Sequence, residues 1–295
     1  MGPSVLTLFN STLHKGSKAL SLIFHLAKLR IKSPNLSNRA PASGFVVAVT
    51  SFPARICSVH WTLRSLFLQK TVPEKVVLVL SGEEFPAGAS SLPRNLTRFL
   101  AKVEDRVDLI FTTDNKRSYK KLLPALDAYP KHVIVTVDDD VIYPSNWFSS
   151  LLAAHKLFPD SIIGTRGAEI SLENSRVAPY SNWKRAVSSV PSHKMFLTGR
   201  GGILYPPGSL SVEVTNWNLA KAICPTADDI WFKAMAALAG TKCMAVPIKS
   251  EYLPSSLFER EALWRANVLS GRNDEAVRRV FGHFGILEIV SREIT

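Results

Sequence analysis

Cysteine is scarce in this chain, and the three present, Cys57, Cys224 and Cys243, show neither paired nor metal-ligand spacing. That argues against a disulfide framework and a zinc-thiolate site, and it points to a reducing, cytoplasmic setting. No glycine-rich phosphate loop follows any apolar run: neither G-x-G-x-x-G nor a P-loop is present. A nicotinamide Rossmann enzyme and a P-loop NTPase are thereby disfavoured. No internal repeat is visible. Acid is missing from the entire N-terminal quarter, since the first carboxylate is Glu74, yet nine Lys or Arg precede it. Six of the nine (Lys15, Lys18, Lys28, Arg30, Lys32 and Arg39) come before Pro41. The apolar stretch in that segment, residues 19–29, is shorter than the roughly 20 residues that span a bilayer. No small-residue cleavage site follows it.

What remains there is a short apolar stretch flanked by basic residues. A helix lying in an anionic membrane interface fits this pattern, with a disordered extension as the alternative. The basic residues are not interleaved with aromatics as single-strand binders require, so nucleic acid is not the expected partner. Residues 33–43, rich in Pro, Ser and Asn, read as a linker. The expected organisation is an amphipathic extension and linker over 1–43, a main domain over 44–275 and a C-terminal tail over 276–295. With 295 residues, 46% of them hydrophobic, the chain has ample material for a large core.

Beyond the linker, short apolar runs alternate with helix-like segments. Strands are expected at residues 45–50, 76–80, 107–111 and 133–137, with helices near 57–69, 94–103, 119–128 and 146–158. Pro124 falls inside the third helix and is expected to kink or restart it. Near-continuous apolar strands separated by helices predict an α/β fold with a mostly parallel sheet covered on both faces. In such sheets ligands bind beyond the carboxyl ends of the strands. Polar groups follow all four strands: Thr50, Ser51 and Arg55 after the first, Ser81 after the second, Asp114 after the third, and Asp138, Asp139 and Asp140 after the fourth.

The three adjacent carboxylates are the sharpest feature. Along an extended chain Asp138 and Asp140 share a face. Like charges this close repel unless a cation lies between them. Hard oxygen ligands at a strand end suit Mg²⁺ or Mn²⁺ with phosphate oxygens completing the shell. The alternative is a solvated acidic turn. With no glycine-rich loop, phosphates must be held by metal and basic side chains; Arg55, Lys116, Arg117, Lys120 and Lys121 are candidates. Residues 196–208 gather four glycines and two prolines around a short apolar run. They read either as a strand between tight loops or as a loop flooring a substrate pocket. Residues 225–233 open a helix with Thr226 as N-cap and Asp229 at the third position, close to a capping box. Asp228 suits the positive helix end. The functional alternative for Asp229 is a general base. Of the aromatics near the acids (Trp147, Tyr180, Trp183, Tyr205, Trp217 and Trp231), most are expected in the core, and His283 in a structural loop.

Six segments in order carry a resemblance: residues 50–55 (TSFPAR), 118–125 (SYKKLLPA), 137–144 (VDDDVIYP), 201–208 (GGILYPPG), 226–233 (TADDIWFK) and 272–274 (RND). The chain resembles bacterial family-2-like glycosyltransferases of the GT-A fold, of the kind encoded with surface polysaccharide genes, from about residue 45 to 274. The resemblance implies a Rossmann-type, mostly parallel sheet with a smaller acceptor-side subregion, a nucleotide-sugar donor and Mn²⁺ or Mg²⁺. By that analogy Asp138 and Asp140 form a D-x-D motif, in which Asp140 binds metal and Asp138 contacts the donor's ribose or the metal. Thr50, Ser51, Arg55, Asp114, Lys120 and Asp139 hold the donor. Gly201 and Gly202 border the donor sugar and the acceptor, and Asp229, with Asp228 beside it, is the catalytic base of an inverting reaction. The acceptor is then a glycan or lipid-linked glycan, and the protein sits peripherally on the inner face of the cytoplasmic membrane. A sugar nucleotidyltransferase and a non-enzymatic membrane-binding module are the competing readings. The first commonly opens with a glycine-rich basic loop, which residues 50–55 lack.

Overall fold

The structure, a computed structural model, describes residues 40–248, 252–255 and 271–292, together with Leu26, Ala27, Leu29 and Arg30. The membrane-interface helix expected near the N-terminus therefore lies largely outside the described residues.

The chain alternates as its apolar pattern predicts. Strand β1 (Pro41–Thr50) leads to helix α1 (Val59–Phe67), β2 (Val72–Ser81), α2 (Arg94–Leu100) and β3 (Val107–Thr112). A 3-10 turn at Arg117–Lys121 runs into α3 (Leu123–Ala128), with Pro124 in its first turn, so the proline restarts the helix. Then come β4 (Val133–Val137), a two-residue β5 (Val141–Ile142) and α4 (Trp147–Leu157). Short strands follow: β6 (Ile162–Gly164), β7 (Gly167–Glu169), β8 (Leu172–Glu173), β9 (Arg176–Val177), β10 (Lys184–Ala186), β11 (Met195–Leu197) and β12 (Ile203–Tyr205). Helices α5 (Trp217–Ile223) and α6 (Asp228–Leu238), strands β13 (Cys243–Ala245) and β14 (Leu253–Pro254), and helices α7 (Arg272–Phe284) and α8 (Ile286–Ser291) complete the described chain.

Seven strands form the central sheet in the order β13-β6-β12-β4-β1-β2-β3. Only β12 runs antiparallel to its neighbours in it. Both faces are covered. Val46 and Ala48 join a core that includes α6, α7 and α8, while Val47 and Val49 join one that includes α1, α2 and α4. All four are fully buried, which is why this strand reads as a continuous apolar run instead of an alternating one. A smaller three-stranded sheet, β10-β7-β11, sits beside the main one.

Two expectations shift. β1 starts at Pro41, inside the stretch read as linker, because Pro41 and Ala42 extend the pairing with β2 ahead of an irregularity before Val46. The segment read as a C-terminal tail is helical over its described part and buries Val280, Ile286 and Val290 against α6.

Candidate functional site

The topology brings one edge of the sheet together. β1, β2, β3, β4 and β6 all end there, and β12, running the other way, begins there. Loop backbone at such an edge has no ladder partners, so polar side chains gather to supply them. The edge carries Thr50 and Ser51, Thr112 to Asp114, Asp138 to Asp140, Thr165 and Arg166, and Gly199 to Gly202. The first turn of α6 adds Asp228 and Asp229.

Each predicted residue has a definite place. Thr50 Oγ1 donates to Val79 O at 2.8 Å, tying β1 to β2. Ser51 Oγ donates to Asp139 Oδ2 at 2.6 Å, and Arg55 Nη1 reaches Asp139 Oδ1 at 3.0 Å and Asp140 Oδ2 at 2.8 Å. Asp139 is buried, and its backbone carbonyl accepts from Thr62 Oγ1 and Ser255 Oγ. Burial pushes its carboxyl up while Arg55 and Ser51 pull it back. Asp139 thus anchors the residue 50–55 loop beneath the cluster. Asp114 lies apart and half-exposed, 3.7 Å from Lys116 Nζ. Lys120 is buried against Glu84, with Nζ at 2.6 Å from Oε2.

The cation inside the cluster is the next residue, Lys121. Its Nζ lies 3.2 Å from Asp138 Oδ1 and 3.0 Å from Asp228 Oδ2. Burial alone would lower its pKa; Asp138 and Asp228, with Asp229, outweigh that and hold it well above the usual lysine value. Lys121 was one of five basic candidates in the sequence; which of them turns inward among the acids follows from the 3-10 turn. Tyr143 was not anticipated either. Its hydroxyl oxygen accepts from Asp138 N at 3.1 Å, fixing the carboxylate-bearing backbone from below.

Asp229 does not close a capping box. α6 begins at Asp228, its N-cap is Ala227, and no side chain caps it. Asp229 Oδ2 instead accepts from Gly199 N at 3.0 Å, a backbone donor from the neighbouring loop that outcompetes the local one. Its Oδ1 is out of solvent contact and has no hydrogen-bond partner. Burial, then Asp228, pushes the carboxyl up to about 7. Burial, then Asp138, pushes Asp140 up to about 6.

Glycine shapes this space. A Cβ on Gly199 would meet Lys121 Nζ at 2.7 Å, Asp138 Oδ1 at 3.0 Å and Asp229 Oδ1 at 3.4 Å. The Lys121 ammonium and the two carboxylate oxygens therefore crowd against Gly199 so closely that only a residue without a side chain fits there. Gly202, at φ +76°, would drive a Cβ to 2.4 Å from the Trp147 ring. Gly201 O accepts from Trp147 Nε1 at 2.7 Å, which locks the loop onto α4. Gly201 and Gly202 hold the loop's shape, and Gly199 lies against Lys121, Asp138 and Asp229. The aromatics divide as expected, with Trp147, Trp183, Tyr205 and Trp231 buried. His283 is exposed in the last turn of α7.

Among the described residues no group of three or more His, Cys, Asp and Glu surrounds one metal position. Asp138 and Asp140 nonetheless suit a hard divalent cation that keeps waters and takes phosphate oxygens, because such ions ask for only one or two protein carboxylates. No helix among the described residues is long and apolar enough to cross a membrane.

No protein-family model and no curated protein sequence matches the chain. Several solved structures are similar to it at a distance. A mannosyltransferase from Pyrobaculum calidifontis, in complex with GDP-Man and Mn²⁺, aligns with a TM-score of 0.49 and 15% identity, over 95% of this chain and 78% of that one. The S. aureus TarS structure aligns with a TM-score of 0.46 and 16% identity, over 70% of this chain and 59% of that one. A 4-diphosphocytidyl-2C-methyl-D-erythritol synthase from Anaerococcus prevotii gives a TM-score of 0.44 and 10% identity, over 78% and 95%.

Proposed function

We propose that this protein is a metal-dependent glycosyltransferase that moves a sugar from a nucleotide-sugar to a hydroxyl of a glycan or lipid-linked glycan, with inversion. The observation that carries the reading is the convergence on Gly199, where an unpartnered oxygen of Asp229 and an oxygen of Asp138 both come close to the glycine at the carboxyl edge of the sheet. One carboxylate there is poised to accept a proton. The other belongs to the D-x-D pair suited to a diphosphate-bound cation.

Asp229 is the general base. Its raised pKa places it near neutrality, where a carboxylate combines an ionised fraction with real basicity. The Gly199 N–H bond to Oδ2 fixes the group and leaves Oδ1 for the acceptor hydroxyl. As that proton moves to Oδ1, the acceptor oxygen bonds to the anomeric carbon and the bond to the nucleoside diphosphate breaks on the opposite face. Lys121 holds Asp138 and Asp228 in place. Arg55 holds Asp140. When bound at Asp138 and Asp140, Mn²⁺ or Mg²⁺ supplies Lewis-acid neutralisation of the departing diphosphate. The nucleoside lies over β1 to β3, against residues 50–55 and Asp114. The resemblance to surface-polysaccharide transferases and the basic N-terminal stretch support a peripheral position at the inner face of the cytoplasmic membrane.

Calorimetry with UDP-, GDP- and TDP-sugars in the presence of Mn²⁺ tests the reading, with Asp140→Ala as control. Metal-dependent binding of one nucleotide that disappears in the variant is expected. Silence across the panel from folded protein rejects it.

A further inference from the structure

Three arginines border the cluster on the side away from β1 to β3. Arg166 immediately precedes β7, and its carbonyl accepts from Thr198 N at 3.1 Å. Arg185 stands in the middle of β10, directly across from Ala168, two residues beyond Arg166. Arg200 lies in the glycine turn, whose Gly201 packs so closely on Arg166 that a Cβ would approach its Cβ to 2.6 Å. Arg166 is half-buried, yet among the described residues no carboxylate lies within ion-pair distance of Arg166 or Arg185. Their mutual repulsion registers: burial first, then Arg185 and Arg200, holds Arg166 below the usual arginine range. Keeping the Arg166 guanidinium half-buried beside two other cations, with no carboxylate of its own, is costly unless an anion arrives.

The surroundings point the same way. Tyr180 lies within electrostatic reach of both Asp229 and Arg166. Burial, then Asp229, pushes its phenol up to about 12, and Arg166 pulls it back. Its ring and those of Trp183 and Phe196 form a packed aromatic floor, with centroids 4.9 to 5.7 Å apart. The backbone is pinned by Asp274 Oδ1, which accepts from Tyr180 N at 2.6 Å.

We propose that Arg166 and Arg185, with Arg200, form an anion-binding pocket for a phosphate or carboxylate group on the acceptor, so that this protein glycosylates a negatively charged acceptor. This rests on the glycosyltransferase reading above and deepens it. Guanidinium forks bind phosphate and carboxylate through paired, charge-assisted hydrogen bonds. An acceptor held by its charge on this side presents a hydroxyl to Asp229 without competing for the cation at Asp138 and Asp140.

The test uses the full chain with inorganic phosphate, glucuronate and neutral glucose as probes, followed by ³¹P line broadening and thermal protection. Each is measured alone and with the saturating nucleotide diphosphate and Mn²⁺. Wild-type protein is expected to bind phosphate and glucuronate but not glucose, and to keep doing so when nucleotide is bound. Arg166→Gln and Arg185→Gln are expected to weaken phosphate binding about tenfold or more, the scale of one lost charge-assisted contact. Arg185 is exposed on an edge strand, so Arg185→Gln folds even if Arg166→Gln does not. Three results overturn the inference: no phosphate binding, binding unchanged in both variants, or phosphate displaced by the nucleotide, which would give the pocket to the donor. Phosphate binding with no nucleotide binding anywhere in the panel overturns the transferase reading instead.

Discussion

Replacing Lys121 with methionine keeps most of its length and removes its charge. In the native protein the ammonium contacts Asp138 at 3.2 Å and Asp228 at 3.0 Å, and only 6% of the lysine side chain is exposed. At an effective dielectric constant near 20, each contact is worth about 5 kcal/mol of gross attraction. Desolvation cancels part of that in the intact pair. Once the cation is gone, nothing offsets the carboxylates it faced, and breaking a buried pair in this way costs about 3–5 kcal/mol. For a domain of this size that corresponds to a melting point lower by roughly 10 °C. Urea unfolding and calorimetry at pH 7 measure it. Because the lysine's pKa is raised in the folded state, its contribution is complete below the unfolded value of 10.5 and is lost only as pH climbs through the higher folded value. The lysine's own titration therefore adds no pH dependence to the deficit from pH 7 to pH 9. Adding Asp228→Asn to Lys121→Met should restore part of the stability, as expected for charges that are coupled. A Lys121→Met protein within about 1 kcal/mol of wild type would refute the claim that this lysine neutralises the acid cluster.

Asp229→Asn should leave donor binding intact and lower turnover roughly 10²- to 10⁴-fold, measured by kcat and calorimetry side by side. In wild type the rate should rise as pH climbs through about 7 and then level, since the deprotonated base is the active form; this limb should vanish in the variant. Asp229's folded pKa lies above the unfolded value of 3.8, so its contribution to stability is full below that value and is lost as pH rises through about 7. Asp229→Asn should therefore unfold at higher urea than wild type at pH 8, and a less stable variant would contradict the buried-carboxylate picture. Gly202→Ala should cost about 1–3 kcal/mol or more, because its Cβ would meet the Trp147 ring at 2.4 Å from a backbone that favours glycine. An unchanged unfolding midpoint would show that the loop repacks freely.

The alternation of apolar runs and helices, the covered parallel sheet and the position of the acid triplet were all legible in the sequence. Each is a local property: strands buried on both faces must be apolar throughout, and the residues that follow them must be polar. The triplet's division of labour was not legible. Strict alternation pairs Asp138 with Asp140, but it does not say that Asp139 turns inward to Ser51 and Arg55 as an anchor. Asp229 is the clearer case. By sequence it belonged to a helix cap or to a base, and only the arrival of Gly199, 30 residues away, decided that its carboxylate leaves the cap. Lys120 and Lys121 are indistinguishable in composition; a 3-10 turn sends one to Glu84 and the other into the acids. The arginines at 166, 185 and 200 carry no spacing, because three separate backbone segments bring them together. The chain by itself thus determined which elements form and which edge is polar, through burial and periodicity. Tertiary structure alone decided which charges meet, since ion pairing and desolvation depend on distances between segments that no local pattern encodes.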